Sequence, residues 1–203
     1  LDFPEEFCEK AAECGHRSFA IDGVAASDRP RQAEGSYMPC FLAGAGTARS
    51  LATVTGVPFY FFSHQQGHVA AAAYGAGKTD WLHRRFLAFH VSGGTTDALL
   101  VTPDGEDILR CETVAASLDL KAGQLIDRVG RMLGQPFPAG PALEAMARRG
   151  TARGAFPLSH RDGKVSFSGA EAQAMRMLEA GAAPEDVAAE VYSYLARAVA
   201  YLI

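Results

Sequence analysis

The stretch from Phe86 to Val114 constrains this chain most. Three apolar runs, FLAFHVS, DALLVTP and ILRCETV, are separated by SGGTT and PDGED. Each run is short and apolar, and each gap holds turn residues. Strands joined by tight glycine turns pair antiparallel, so a three-strand meander is expected. Its apolar face must be covered, and the residues that follow supply helices for that purpose. One is expected near 119–133, with Ala122, Leu125, Ile126, Val129 and Leu133 on one face. Another runs from Pro141 to Arg149, with proline at its first position and Gly150 past its end. A last one starts at Pro184 and carries Val187, Val191, Leu195, Val199 and Leu202 on one stripe.

Earlier in the chain, strand and helix alternate. SFAIDGVAA, residues 18–26, reads as a buried strand, and a polar loop with Pro30, Gly35 and Pro39 follows. Phe41, Ala45, Ala48 and Leu51 recur at helical spacing between Cys40 and Thr55, with Gly56 as the stop. VPFYFF at 57–62 reads as a strand, and HQQGHVAAAAYG as a helix ending at Gly75 or Gly77. The charged segment KTDWLHRRF reads as a linker, which divides the chain into residues 1–84 and 85–203. The class is mixed α/β, with two lobes and a cleft between them.

Composition narrows the function. With 203 residues, 48% of them hydrophobic, the chain has ample material for a core and is not disordered. A net charge of -4 argues against coating nucleic acid by bulk charge, and leaves a local basic face open. No apolar run reaches the roughly 18–20 residues of a membrane span, and the N-terminus lacks a signal-peptide layout. No membrane partner is expected. Cys8, Cys14, Cys40 and Cys111 form no CxxC pair and are too sparse for a disulfide scaffold, which points to the cytoplasm. Cys40 and Cys111 read as core residues. The chain opens at Leu1 and closes inside an apolar helical pattern, so it reads as a segment incomplete at both ends.

Four features can carry chemistry. His64 and His68 stand at i and i+4 on one helix face, the spacing of a metal-binding pair and equally of two surface or capping histidines. Gln65 occupies the place of a zinc-protease general base and cannot take a proton. Ser92-Gly93-Gly94-Thr95-Thr96 turns tightly and exposes N–H groups, as an anion cradle or an ordinary hairpin turn. Asp127 shares a helix face with Gly123, Gly130 and Gly134, so a ligand or another helix comes close to that backbone. Pro136 to Pro141 is a stiff loop ahead of a helix N-terminus, where Gly140 permits close approach by a ligand or simply leads the helix in. His16, His83, His90 and His160 are isolated and read as structural. The pairs Arg84-Arg85 and Arg148-Arg149 read as solvated faces.

Taken in order, HxxGH, Ser-Gly-Gly-x-Thr, Ala-Gly-x-x-x-Asp, Leu-Gly with Pro-x-Gly-Pro, and Phe-Ser-Gly resemble the TsaD family. These are the tRNA adenosine threonylcarbamoyltransferases, once described as glycoproteases. The resemblance covers the chain from about Ile21 to its C-terminus. It implies an actin-like fold of the sugar kinase and heat-shock ATPase type, two lobes around a cleft. It implies transfer of a threonylcarbamoyl group from its adenylate to an adenosine of tRNA, with no covalent protein nucleophile. Matched residue by residue, His64 and His68 bind a divalent metal, iron or zinc. His90, Val91, Ser92, Gly93 and Gly94 contact the adenylate-type substrate, Asp127 its sugar, and Gly140 its nucleoside part. The partners implied are tRNA, a same-fold subunit and a small P-loop ATPase. The family usually has Glu where this chain has Gln66, and His where it has Thr95. A non-catalytic nucleotide-binding paralogue that scaffolds a complex is the alternative, and a metallopeptidase a further one.

Overall fold

The computed structural model describes residues 20–105 and 108–202. The expectations for Cys8, Cys14, His16 and the first residues of the strand at 18–26 lie outside them. Two compact units divide the chain, residues 1–72 and 73–203.

The described part of the first unit is a βαβ unit followed by a helix start. β1 (Val24–Arg29) and β2 (Phe59–Ser63) pair in parallel, with Val24 opposite Phe59 and Ser27 opposite Phe62. Parallel strands need a long crossover, and α1 (Pro39–Thr55) provides it. Pro39 suits the first helical turn, where its missing N–H costs nothing. Gly56 ends the helix in the left-handed conformation, φ 69°, and its N–H donates to the carbonyl of Ala52. Ala45, Ala48 and Ala52 form the buried stripe of α1. Two expectations need correction here. The strand begins at Val24, and it is only half-buried because β2 is its sole strand neighbour among the described residues. Cys40 is exposed, because the first turn of α1 places it off the alanine stripe.

α2 (His64–Gly75) starts in the first unit and crosses the division. The segment read as a linker contains a 3-10 turn, Thr79–His83. The meander then forms as expected. β3 (Phe86–Val91), β4 (Thr96–Asp104) and β5 (Ile108–Ser117) pair antiparallel, with Phe86 opposite Val101 and Val101 opposite Cys111. Ala98 faces Ala115 while Leu99 faces Thr113, so Val114 is a one-residue bulge. Next come α3 (Ala122–Met132), α4 (Gly140–Ala147), the two-residue strands β6 (His160–Arg161) and β7 (Lys164–Val165), α5 (Ser168–Glu179) and α6 (Pro184–Tyr201). The sheet order is β3-β4-β5-β7-β6, with β5 and β7 parallel.

The core of this unit lies between one sheet face and the helices. Leu125 and Val129 of α3, Leu143 of α4, and Val187 and Val191 of α6 are fully buried around Phe167 and Ala98. Burying each such aliphatic side chain stabilises by about 1.5–3 kcal/mol. α5 has no clear counterpart in the sequence reading. Its SGAEAQAMRMLE buries only Ala170 and Ala174, too small a stripe to show as helical periodicity. Cys111 is buried as expected. The arginine pairs lie on solvated surfaces, Arg84 beside Asp80 and Arg148 beside Glu144. No helix among the described residues is long and apolar enough to cross a membrane.

Candidate functional site

The histidine pair sits on the first turns of α2. Ser63 and Gln66 fix that helix start. The Ser63 N–H donates to Gln66 Oε1 at 2.6 Å, and the Gln66 N–H donates to Ser63 Oγ at 3.2 Å. This is a capping box, two orphan donors satisfied reciprocally. The S-x-x-Q pattern is readable from sequence and was the missed signal at this site. Gln65 and Gln66 are buried, which leaves His64 and His68 on the exposed side of α2. Their Nε2 atoms are 2.9 Å apart, with ring centroids 4.3 Å apart and planes at 76°. Phe41 lies against the His64 ring at 5.6 Å.

That donor set fits a metal ion. Imidazole–metal bonds of about 2.0–2.1 Å to nitrogens 2.9 Å apart subtend roughly 90°. Two imidazole nitrogens this close can both reach one ion. Without a metal, the same distance is a hydrogen bond in which one ring donates to the other, and the tautomer sets the direction. No group of three or more His, Cys, Asp or Glu converges among the described residues.

The second unit holds the other candidates. His90, half-buried at the end of β3, stands opposite the buried Asp97 of β4. Val91 is exposed. Ser92 organises the turn that follows: its Oγ accepts from the N–H groups of Gly94 at 3.2 Å and Thr95 at 3.0 Å. The Ser92 N–H donates to the Thr95 carbonyl at 2.7 Å. Gly93 and Gly94 remain exposed.

The start of α3 is docked onto this turn. The Ala122 N–H donates to Thr96 Oγ1 at 2.8 Å, and the Gly123 N–H donates to the Ser92 carbonyl at 3.2 Å. Two of the unpaired amides at the helix N-terminus are thereby satisfied. Gly123 is glycine for a steric reason. A Cβ there would stand 2.7 Å from the Gly93 nitrogen and 2.8 Å from its Cα. The glycine face of α3 is therefore closely approached, as the sequence implied, but by the chain's own segments. The turn at 92–93 covers Gly123. Ala139 covers Gly130, where a Cβ would stand 2.2 Å from the Ala139 Cβ. Gly134 has φ 74° and ends the helix.

Asp127 lies one turn after Gly123 and is half-buried. Its Oδ1 accepts from the Ala139 N–H at 2.9 Å, which pins the 136–140 loop to α3. Gly140 opens α4, with nothing within 4 Å of the place a Cβ would occupy. The structure thus links the Ser92 turn, Asp127 and Gly140 into one continuous set of contacts. Hydrogen bonds from Gly123 and Ala139 carry it.

Three further residues support this set. Thr96 is fully buried, and its hydroxyl accepts from Ala122 while donating to the Thr95 carbonyl. The Tyr192 hydroxyl donates to the Gly140 carbonyl at 3.2 Å. Asp119 precedes α3 and ties it to the Phe-Ser-Gly segment. It accepts from Leu120 N–H and Phe167 N–H, both at 2.7 Å, and from the hydroxyls of Ser166 and Ser168. Burial pushes its pKa up, but those hydrogen bonds outweigh it and hold the carboxyl below its ordinary value. No periodicity or spacing in the sequence marks these partners, which lie 26 to 52 residues apart along the chain.

Comparison with known proteins gives the family of the chain. Residues 6–202 match the model of the TsaD family, described as tRNA N6-adenosine threonylcarbamoyltransferase. A protein of that name from Caulobacter vibrioides is 33% identical over 184 residues, 87% of this chain and 47% of that protein. The chain spans about half the length of this curated relative, 47% of it.

Proposed function

The chain belongs to the TsaD family, the tRNA N6-adenosine threonylcarbamoyltransferases, and from that premise we propose that it carries part of the family's transferase site. The reaction is transfer of a threonylcarbamoyl group from its adenylate to N6 of an adenosine in tRNA. The fold proposed for the whole protein is the two-lobed actin-like one. The observation that carries the reading is the linkage of the Ser92 turn, α3 with Asp127, and the loop at Gly140.

In this reading the second unit holds the donor. His90 to Gly94 line its acyl-phosphate side. Ser92 Oγ already accepts two amide hydrogens, so its own proton is left for a phosphate oxygen. Asp127 spends one oxygen on Ala139 and keeps acceptor capacity for a ribose hydroxyl. The open backbone at Gly140 admits the flat face of the nucleoside. His64 and His68 would hold a divalent ion, iron or zinc, which when bound would supply Lewis acidity. Holding donor and tRNA amine in one orientation lets the amine attack without a protein nucleophile. A same-fold subunit, a small P-loop ATPase and a cytoplasmic setting complete the proposal.

Nucleoside mass spectrometry of total tRNA from cells depleted of the full-length protein tests it. Loss of threonylcarbamoyladenosine, restored by wild type but not by Asp127→Ala, is expected. Full restoration by Asp127→Ala overturns the site assignment. Failure of wild type to restore the modification overturns the activity.

A further inference from the structure

We propose that Tyr192 of α6 is a positioning residue for Gly140, on the reading that Gly140 lines the nucleoside end of the donor site. The two peptides that flank the Ala139–Gly140 pair are each held by a side chain. Asp127 Oδ1 takes the Ala139 N–H at 2.9 Å, and the Tyr192 hydroxyl donates to the Gly140 carbonyl at 3.2 Å. The Leu143 N–H also donates to the Ala139 carbonyl at 2.8 Å, the first bond of the helix itself. α4 has no side-chain cap, and Pro141 in its first turn has no N–H to offer. The hold matters because the Gly140 backbone is open on its Cα side, where a small shift alters the surface a ligand meets.

Tyr192 suits the task chemically. Burial, and then the nearby Glu144 carboxylate, push its phenol pKa up, so it stays a protonated donor at neutral pH. Its ring borders a hollow of about 420 Å³, lined also by Glu144, Arg148, Ala189 and Ser193. Removing only the hydroxyl keeps the ring and its packing. Tyr192→Phe is therefore a mild variant for the fold and a direct one for Gly140. Tyr194, two residues on, is the matched control. It is fully buried, and its hydroxyl donates to the Ser166 carbonyl instead.

The test is calorimetric titration of the full-length protein with adenosine monophosphate, alongside thermal melts. Tyr192→Phe should weaken binding about fivefold, the worth of one hydrogen bond, with little change in melting temperature. In the transfer reaction KM for the adenylate rises by the same factor while kcat stays within about twofold. Tyr194→Phe should lower the melting temperature and leave binding unchanged. Wild-type affinity in Tyr192→Phe, or equal losses in both variants, overturns the proposal. No binding by wild type overturns the reading of Gly140 itself, and is seen before any variant is made.

Discussion

Gly123→Ala tests whether α3 places the glycine turn. The added Cβ would stand 2.7, 2.8 and 2.9 Å from the Gly93 nitrogen, the Gly93 Cα and the Ser92 carbonyl carbon. All three are backbone atoms, so no side chain can swing aside. Ordinary contact begins near 3.4 Å, so the turn must recede by about 0.5–0.7 Å. The Gly123 N–H to Ser92 carbonyl bond, now 3.2 Å, would then stretch past hydrogen-bond range. Alanine favours the helix by about 1 kcal/mol. Overpacking costs about 1–3 kcal/mol, and the lost bond about 1 kcal/mol. A net loss of about 1–3 kcal/mol is expected, or some 2–4 °C in melting temperature for each kcal/mol. A turn moved by half an ångström should weaken adenosine monophosphate binding about tenfold. Gly46→Ala in α1 is the control, because nothing lies within 4 Å of its Cβ position. That variant should gain about 1 kcal/mol. If Gly123→Ala is also stabilised and binds as wild type does, the turn is not placed by α3 and the reasoning fails.

Gln66→Ala removes the acceptor of the Ser63 N–H and should cost about 1 kcal/mol of stability. Zinc titration should show weaker binding in that variant, as the turn carrying His64 frays; unchanged affinity would detach the cap from the pair. In a variant retaining only Cys40 and Cys111, a maleimide at neutral pH should label exposed Cys40 at once. Cys111, whose thiol burial pushes up to about 11, should label only after denaturation. Asp119 has a folded pKa below its ordinary 3.8, so its hydrogen bonds stabilise the fold above that pH and fade as pH falls toward the lower value. The stability gap between wild type and Asp119→Ala should be full near pH 6 and smaller near pH 3, and urea melts showing a constant gap would refute this.

Sequence pattern revealed the elements whose burial is periodic. α1, the meander, α3 and α6 each repeat an apolar stripe or alternation, and each formed close to its expected span. α5 escaped because alanine carries its buried face, and small residues give little contrast with solvent-facing ones. Cys40 misled because a thiol reads as apolar, while its exposure depends on its angle around α1. At the site, residue types were legible but their partners were not. The bond from Ala122 to Thr96 spans 26 residues, and that from Tyr192 to Gly140 spans 52. Such pairings follow from the packing of α3, α4 and α6, which no local spacing encodes. The glycine face of α3 was an intermediate case. Its close approach was predictable from the cost of three glycines near Asp127, but what approaches it was not.

Two of the positions that depart from the pattern implied by the resemblance, 66 and 95, fall where a neighbour sets the backbone. Gln66 stands at the third position of the capping box, where Glu and Gln make the same bond to the cap residue's amide. Its amide therefore keeps the helix start, and with it the i and i+4 placement of His64 and His68. Thr95 enters the glycine turn through its backbone. Its N–H goes to Ser92 Oγ and its carbonyl accepts from the Ser92 N–H and the Thr96 hydroxyl. A different side chain at 95 leaves those three bonds in place. Ser92, Thr96 and Gly123 cannot vary so freely, since each contributes an atom or an absence that the turn needs. The substitutions thus spare the frame that holds the His64–His68 pair and the Ser92 turn.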